Sequence, residues 1–251
     1  MDVLILAGGY AKRMWPLTLK VPKPLLKVNE KPVMNYIIKN IQSLEGIGKI
    51  YISTNMKFEK KFQKWKEKNR LNVEIVIEPT TNENHKLGVI GSIQYFIDRK
   101  GFKNDLLVVA GDNLFDFDLS KMIHIFNKNK ETIIAVYNVE NKELVRIYSN
   151  AVVDEKNKVI EFVEKPENPK SCLIGTCCYI FPKKTLSYFK KYLNEKNNPD
   201  AIGYFTQWLH KKVSVFACPY NGIWFDIGDK TSLAKANEAL KNGTIRNIPS
   251  I

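Results

Sequence analysis

Short apolar runs alternate along the chain with longer stretches in which apolar residues recur every three or four positions. Val3–Leu6, Lys49–Ser53, Val73–Ile77 and Leu106–Ala110 are short and mostly apolar, the pattern of strands buried on both faces. Helix-period segments lie between them. Pro32–Leu44 puts Met34, Ile37, Ile38, Ile41 and Leu44 on one face, with Pro32 suited to a first turn. Phe58–Lys68 spaces Phe58, Phe62 and Trp65 helically among lysines, which we read as a packing stripe. Gly88 opens a helix carrying Ile90, Ile93 and Ile97 on one face, and Asp118 precedes one running through Leu119, Met122, Ile123 and Phe126. Strand alternating with helix four times predicts a doubly wound, largely parallel sheet. In such sheets ligands sit outside the carboxyl ends of the strands. Gly8-Gly9, Glu78-Pro79 and Gly111-Asp112 all fall at such ends.

From Thr132 the pattern changes. Thr132–Asn138, Val145–Val153 and Val159–Glu164 read as strands, with a polar hairpin turn over residues 154–158. Ile160, Phe162 and Glu164 alternate onto one face, so Lys165 points the other way unless the strand twists or ends at Glu164. Two helices follow, around Thr185–Leu193 and Ile202–Lys211, then strands over Val213–Cys218 and Gly222–Phe225. A last helix spans Thr231–Leu240; Asp229 or Thr231 suits its cap, which leaves Asp226 free for other work.

Charge adds one question. The 251 residues carry a net charge of +13, mostly from lysine. The lysines are scattered, with no dense basic block and no nucleic-acid motif, so a cleft for an anionic nucleotide on a solvated basic surface accounts for them. No run approaches a membrane span and no leader pattern opens the chain, so the expectation is a cytoplasmic protein without a membrane or nucleic-acid partner. Cys172, Cys177, Cys178 and Cys218 form no C-x-x-C pair, and the histidines are few, so neither a zinc site nor a disulfide framework is expected.

The chemistry concentrates after the first strand. Leu6-Ala7-Gly8-Gly9 ends the apolar run in a turn whose glycines let the backbone approach a ligand and whose N–H groups can cradle an anion. Lys12, Arg13 and Lys23 follow closely. Together these suggest a phosphate site, although neither the Walker pattern nor the dinucleotide fingerprint is present. The whole run, Leu6-Ala7-Gly8-Gly9, Arg13, Pro16-Leu17-Thr18 and Pro22-Lys23-Pro24-Leu25-Leu26, resembles the signature of the sugar-1-phosphate nucleotidylyltransferases, the nucleotide-sugar pyrophosphorylases, in particular those like glucose-1-phosphate thymidylyltransferase. Ala11 and Lys12 depart from it where the family has glycine and Thr or Ser.

The resemblance extends over nearly the whole chain. It implies a Rossmann-like three-layer α/β/α fold with a mostly parallel mixed sheet and a β-rich sugar-binding portion. The expected organisation is one domain, 1–251, with a nucleotide-binding half at 1–130 and a sugar-binding and C-terminal half at 131–251. Leu6, Ala7, Gly8, Gly9, Gly88 in Leu87-Gly88, and Asp112 in Gly111-Asp112-Asn113 take nucleotide-binding roles by resemblance. Arg13 and Lys23 are the implied catalytic cations. Asp112, with Asp226 in Trp224-Phe225-Asp226-Ile227-Gly228-Asp229, is the implied Mg²⁺ site. Glu164-Lys165-Pro166 matches the family's E-K-P, which assigns Glu164 to sugar hydroxyls and Lys165 to the sugar phosphate, with Gly175 nearby. Ser149 stands where the family has a glycine whose backbone faces the sugar. Read without the resemblance, Gly88 is a helix-start glycine, Asp112 and Asp226 are turn residues, and E-K-P is a strand end.

No hexapeptide repeat appears, so the resemblance implies the catalytic module without the β-helix domain some relatives bear. The expected activity joins an NTP, dTTP or UTP, to a sugar-1-phosphate, glucose-1-phosphate, releasing pyrophosphate with Mg²⁺ as cofactor. Two readings stand beside it: a non-catalytic nucleotide-sugar-binding regulatory subunit, and nucleotidylyl transfer to a non-sugar phosphate. Homo-oligomerisation is left open.

Overall fold

The computed structural model of the chain describes residues 1–101 and 104–242. In chain order the elements are β1 (Asp2–Leu6), a small hairpin of β2 (Lys27–Val28) and β3 (Lys31–Pro32), α1 (Val33–Gln42), β4 (Ile50–Asn55), α2 (Glu59–Lys68), β5 (Glu74–Glu78), α3 (Gly88–Lys100), β6 (Leu106–Ala110), β7 (Asn113–Phe115), α4 (Ser120–Asn129), β8 (Thr132–Asn138), α5 (Lys142–Val145), β9 (Ser149–Val153), β10 (Val159–Glu164), β11 (Leu173–Phe181), α6 (Ser187–Asn194), α7 (Ile202–Leu209), β12 (Val215–Tyr220), β13 (Trp224–Asp226) and α8 (Lys230–Lys241). The fold is a mixed, mostly parallel sheet with flanking helices.

Two compact units divide the chain, and neither is a continuous segment. One holds residues 1–86, 109–119 and the chain from Gly222; the other holds 87–108 and 120–221. The chain passes between them after Lys86, within β6, after Leu119 and after Asn221. Residues 243–251 lie outside the described residues.

In the first unit the strand order is β6, β1, β4, β5. Strand β1 runs parallel to β4, and β4 parallel to β5. Val3, Leu4 and Ile5 are fully buried, as expected of a strand covered on both faces. The α1 face predicted from spacing is inside: Met34, Ile37, Ile38 and Ile41 have almost no exposed surface. On α2, Phe62 and Trp65 meet edge to face with ring centres 6.2 Å apart, and Phe58 is buried just before them, so the aromatic stripe is packing.

In the second unit the order is β12, β8, β11, β6, with β12 parallel and β11 antiparallel to β8. The register of β11 shifts between Gly175 and Tyr179, where Cys177 has a positive φ of 54°. Strands β9 and β10 pair antiparallel as a separate ribbon around the expected turn. The strand expected over Val145–Val153 begins only at Ser149. Asn141 caps a short helix by accepting a hydrogen bond from the Glu143 N–H at 2.9 Å, and this local cap outweighs the apolar pattern of Leu144 and Val145. Among the described residues no disulfide forms.

An aromatic cluster anchors α6 and α7. Phe205 stacks on Phe189 with ring centres 4.2 Å apart, meets Phe181, Tyr192 and Trp208 within about 6 Å, and has no exposed surface. Truncating such a ring removes its burial and leaves a cavity. Phe205→Ala should therefore cost about 3–5 kcal/mol, read as a fall in the urea midpoint; a loss below about 1 kcal/mol would show that the cluster does not anchor the helices.

Candidate active site

The loop after β1 is held by its neighbouring strands. The Ala7 N–H donates to the Ser53 carbonyl at 2.8 Å. The Thr54 hydroxyl and the Asn55 side-chain amide donate to the carbonyls of Ala7 and Gly8 at 3.2 and 2.8 Å. The Ser53 hydroxyl donates to Glu78 Oε1 at 2.8 Å, and that oxygen lies 2.6 Å from where a Cβ on Gly8 would stand. Glycine is therefore required at position 8 by packing against a fixed carboxylate. No described atom lies within 4 Å of a Cβ built on Gly9, so the loop is open on that side. Ala11 adopts left-handed backbone, φ 48°, and its carbonyl accepts from the Thr18 hydroxyl at 2.8 Å. Alanine tolerates that conformation at a cost of about 1 kcal/mol that glycine would avoid.

Asp112 reaches this loop through backbone. The Gly111 N–H donates to the Leu6 carbonyl at 2.8 Å, and a Cβ on Gly111 would stand 2.7 Å from that oxygen. Only glycine allows so close an approach. The next residue, Asp112, forms an ion pair with Lys23, which a short turn over Lys23–Leu25 presents. The pair is mostly sheltered, with side chains 15% and 25% exposed.

Strand β13 brings the second carboxylate from far along the chain. It pairs antiparallel with β7 and sets Asp226 opposite Asn113, while the Ile227 N–H donates to the Asp112 carbonyl at 3.0 Å. The Asn113 amide donates to Asp112 Oδ1 at 3.0 Å, and its own oxygen accepts from the Trp224 indole N–H at 2.8 Å. An Arg13 guanidinium nitrogen lies 3.7 Å from where a Cβ on Gly228 would stand. Neighbouring aspartates are otherwise engaged. Asp116 accepts from the Ile223 N–H at 2.8 Å, and Asp229 caps α8 by accepting from the Ser232 N–H at 2.7 Å. Leu6, Ala7, Gly8, Gly9, Arg13, Lys23, Asp112 and Asp226 thus share one unit and one strand-end cluster.

The electrostatics follow from crowding charges out of water. Burial first and the Asp112 carboxylate second raise the half-buried Asp226 carboxyl, Lys23 and Arg13 pull against both, and the outcome is about 6. Burial alone would lower Lys23, but the two aspartates outweigh it and its pKa is raised. Two neighbouring carboxylates, one held above its ordinary pKa, fit a divalent ion that takes only one or two protein carboxylates. Among the described residues no cluster of three or more metal-ligating side chains exists, so such an ion would draw its remaining ligands from substrate and water. A cavity of about 350 Å³ between α1 and the end of α2, lined in part by Asn35, Lys39 and Arg70, contains none of these residues.

The other predicted residues lie in the second unit. Strand β10 ends at Glu164, and Lys165 turns at once into left-handed backbone, φ 50°, with its N–H donating to the Tyr148 carbonyl at 2.7 Å. The strand end is what frees the two side chains from strict alternation. Burial raises the Glu164 carboxyl, and the Lys165 charge opposes this. The Gly175 N–H donates to Ser149 Oγ at 3.1 Å, and that hydroxyl occupies the place a Gly175 side chain would need. Gly88 has φ 72°, and a Cβ there would stand 2.6 Å from the Pro199 carbonyl oxygen, so backbone packing alone demands glycine. Asn113, Trp224 and Glu78, which orient the cluster, were missed in the sequence reading. Their only signal is adjacency to Asp112, to Asp226 and to a strand end.

Residues 2–243 match the family model described as nucleotidyl transferase. The chain is 32% identical over 245 residues to the bifunctional protein GlmU of Methanocaldococcus jannaschii, covering 96% of this chain and 54% of that protein. It therefore spans little more than half the length of that relative. It is 30% identical to the D-glycero-alpha-D-manno-heptose 1-phosphate guanylyltransferase of Campylobacter jejuni, covering 91% of this chain and 95% of that one. The crystal structure of a UDP-glucose pyrophosphorylase complexed with UDP-glucose shares the fold, with a TM-score of 0.80 at 21% identity, covering 96% of this chain and 98% of that one.

The raised Asp226 pKa predicts a pH dependence. Between about pH 4 and 6 the folded protein holds more protons than the unfolded chain, so this group makes stability fall as pH rises through that window. Asp226→Asn should abolish the fall and leave the protein more stable than its parent at pH 7, by about 1–3 kcal/mol at roughly 1.4 kcal/mol per pKa unit. Urea titrations at pH 4, 5, 6 and 7 measure this; parallel curves for the two proteins would contradict it.

Proposed function

With the chain a member of the nucleotidyl transferase family, we propose that it joins an NTP to a sugar-1-phosphate, giving an NDP-sugar and pyrophosphate. The nucleotide is dTTP or UTP and the sugar is glucose-1-phosphate. The observation that carries the reading is the convergence of Lys23, Asp112 and Asp226 at the carboxyl end of β1, with Arg13 close enough to act on Asp226. A strand-end turn needs no such concentration of charge.

The sugar-phosphate oxygen is already an anion, so the reaction needs no general base. That oxygen attacks the α-phosphorus in line. Its bond to phosphorus forms as the bond from phosphorus to the α–β bridging oxygen breaks, and pyrophosphate leaves with the electron pair. The barrier is charge crowding and alignment, so positioned cations do most of the work. The Leu6–Gly9 backbone cradles the nucleotide and Gly88 borders the base. The planar fork of Arg13 suits the departing β- and γ-phosphates. Lys23 meets the α-phosphate, and its ion pair keeps it aimed beforehand. Glu164 accepts from sugar hydroxyls, and Lys165 meets the sugar phosphate. Asp112 and Asp226 would hold Mg²⁺, which when bound supplies positive charge to the phosphates.

The named relatives differ in base and sugar, so the test must span both. Pyrophosphate release is measured across a grid of NTPs and sugar-1-phosphates with Mg²⁺. Release with dTTP or UTP and glucose-1-phosphate is expected. Silence across the grid, with nucleotide-sugar binding retained, would favour the regulatory reading instead. Arg13→Ala and Lys23→Ala should each lower turnover by roughly 10²–10³, the usual loss for one preorganised charge-stabilising donor. Near-parental turnover in both would remove the phosphate assignment. Asp112→Asn and Asp226→Asn should each abolish most turnover, with the double variant little worse, because groups acting as a unit are not additive.

A further inference from the structure

Glu164 lies on helix α7 in an unusual way. The Gly203 backbone sits so close to the Glu164 carboxylate that a Cβ at position 203 would overlap one carboxylate oxygen and stand 2.6 Å from the carboxyl carbon. Four residues on, one helical turn along the same face, Gln207 Oε1 accepts a hydrogen bond from the Glu164 N–H at 2.9 Å. The Lys165 N–H still donates across the ribbon to the Tyr148 carbonyl, so by alternation the Glu164 N–H faces away from β9. The Gln207 oxygen is therefore what satisfies it. Backbone and side chain of Glu164 are thus gripped by two residues of one helix, and neither of these carries a charge.

We propose that Gly203 and Gln207 are positioning residues for the Glu164 carboxylate, and through it set how tightly the sugar-1-phosphate is held. This rests on the sugar-site reading above. A carboxylate half-withdrawn from water is costly to move and costly to leave unpaired, so its value to a polar ligand depends on where it is fixed. Gly203 fixes it by withholding a side chain, and Gln207 by holding the strand end. The pair selects for a polyhydroxylated partner, since hydroxyls are donors that a carboxylate can accept from, and it leaves nucleotide binding untouched.

The test is a cycle of variants measured with the active pair from the substrate grid. Gly203→Ala should raise KM for the sugar-1-phosphate at least tenfold while the Kd for the NTP alone, by calorimetry, stays within twofold. Gln207→Met keeps the side-chain length but loses the acceptor, and should raise the same KM severalfold. Glu164→Ala should raise it as well. In that background Gly203→Ala should add nothing, and its effect on the thermal midpoint should turn from a loss into a gain, since alanine is the better helix former once the clash is gone. Only a residue acting through Glu164 predicts that reversal. If Glu164→Ala leaves the sugar KM unchanged, the sugar-site reading fails and this inference with it. If Glu164→Ala raises KM but neither Gly203→Ala nor Gln207→Met does, the inference alone is overturned. An equal effect of Gly203→Ala in both backgrounds overturns it too.

Discussion

The first unit is built around two carboxylates that must share a small space. Asp112 and Asp226 are over a hundred residues apart in the chain; Asp226 ends one strand of a two-stranded ribbon and Asp112 immediately precedes the other. Burial first and this closeness second raise the Asp226 pKa. Lys23 offsets part of this charge by pairing with Asp112, and in return its own ammonium is stabilised against burial. The surroundings read as devices for holding these three groups still. The Asn113 amide and the Trp224 indole fix Asp112 from behind, and the Gly111–Leu6 backbone contact locks the ribbon to β1.

The same economy governs the glycine turn. Gly8 exists to admit the Glu78 carboxylate, which the Ser53 hydroxyl holds. The carbonyls of Ala7 and Gly8 are tied down by Thr54 and Asn55. The carbonyls of Leu6, Ala7 and Gly8 are thus engaged by the scaffold, and the loop is open beside Gly9. Preorganisation of this kind costs stability, and Ala11 in left-handed backbone is another local instance.

The second unit repeats the theme with a single carboxylate. Glu164 is withdrawn from water at a strand end, with the Lys165 charge opposing the effect of burial, and α7 packs against it through a glycine. Paired and crowded charges mark the first unit, and a carboxylate fixed by an uncharged helix marks the second.

The alternation of apolar runs with helix-period segments was enough to determine the sheet-and-helix class, the buried faces of α1 and α2, and the strand ends at Leu6, Glu78 and Ala110. These depend on burial along a local stretch, which spacing records directly. Local pattern started β9 four residues early, at Val145, which instead closes the short helix that the Asn141 side chain caps. Candidate residues were legible as types at strand ends, because Gly-Gly, Gly-Asp and a lone Asp after an apolar run are conspicuous there. Tertiary structure alone decided which of several aspartates would meet. Sequence position already marked Asp229 for the α8 cap and left Asp226 free, but only the fold shows backbone N–H groups of Ile223 and Ser232 claiming Asp116 and Asp229 while β13 carries Asp226 to Asp112. It also decided the reason for each glycine. Gly8, Gly88, Gly111 and Gly203 each make room for an atom brought from elsewhere in the fold, and no sequence window contains both partners of such a contact.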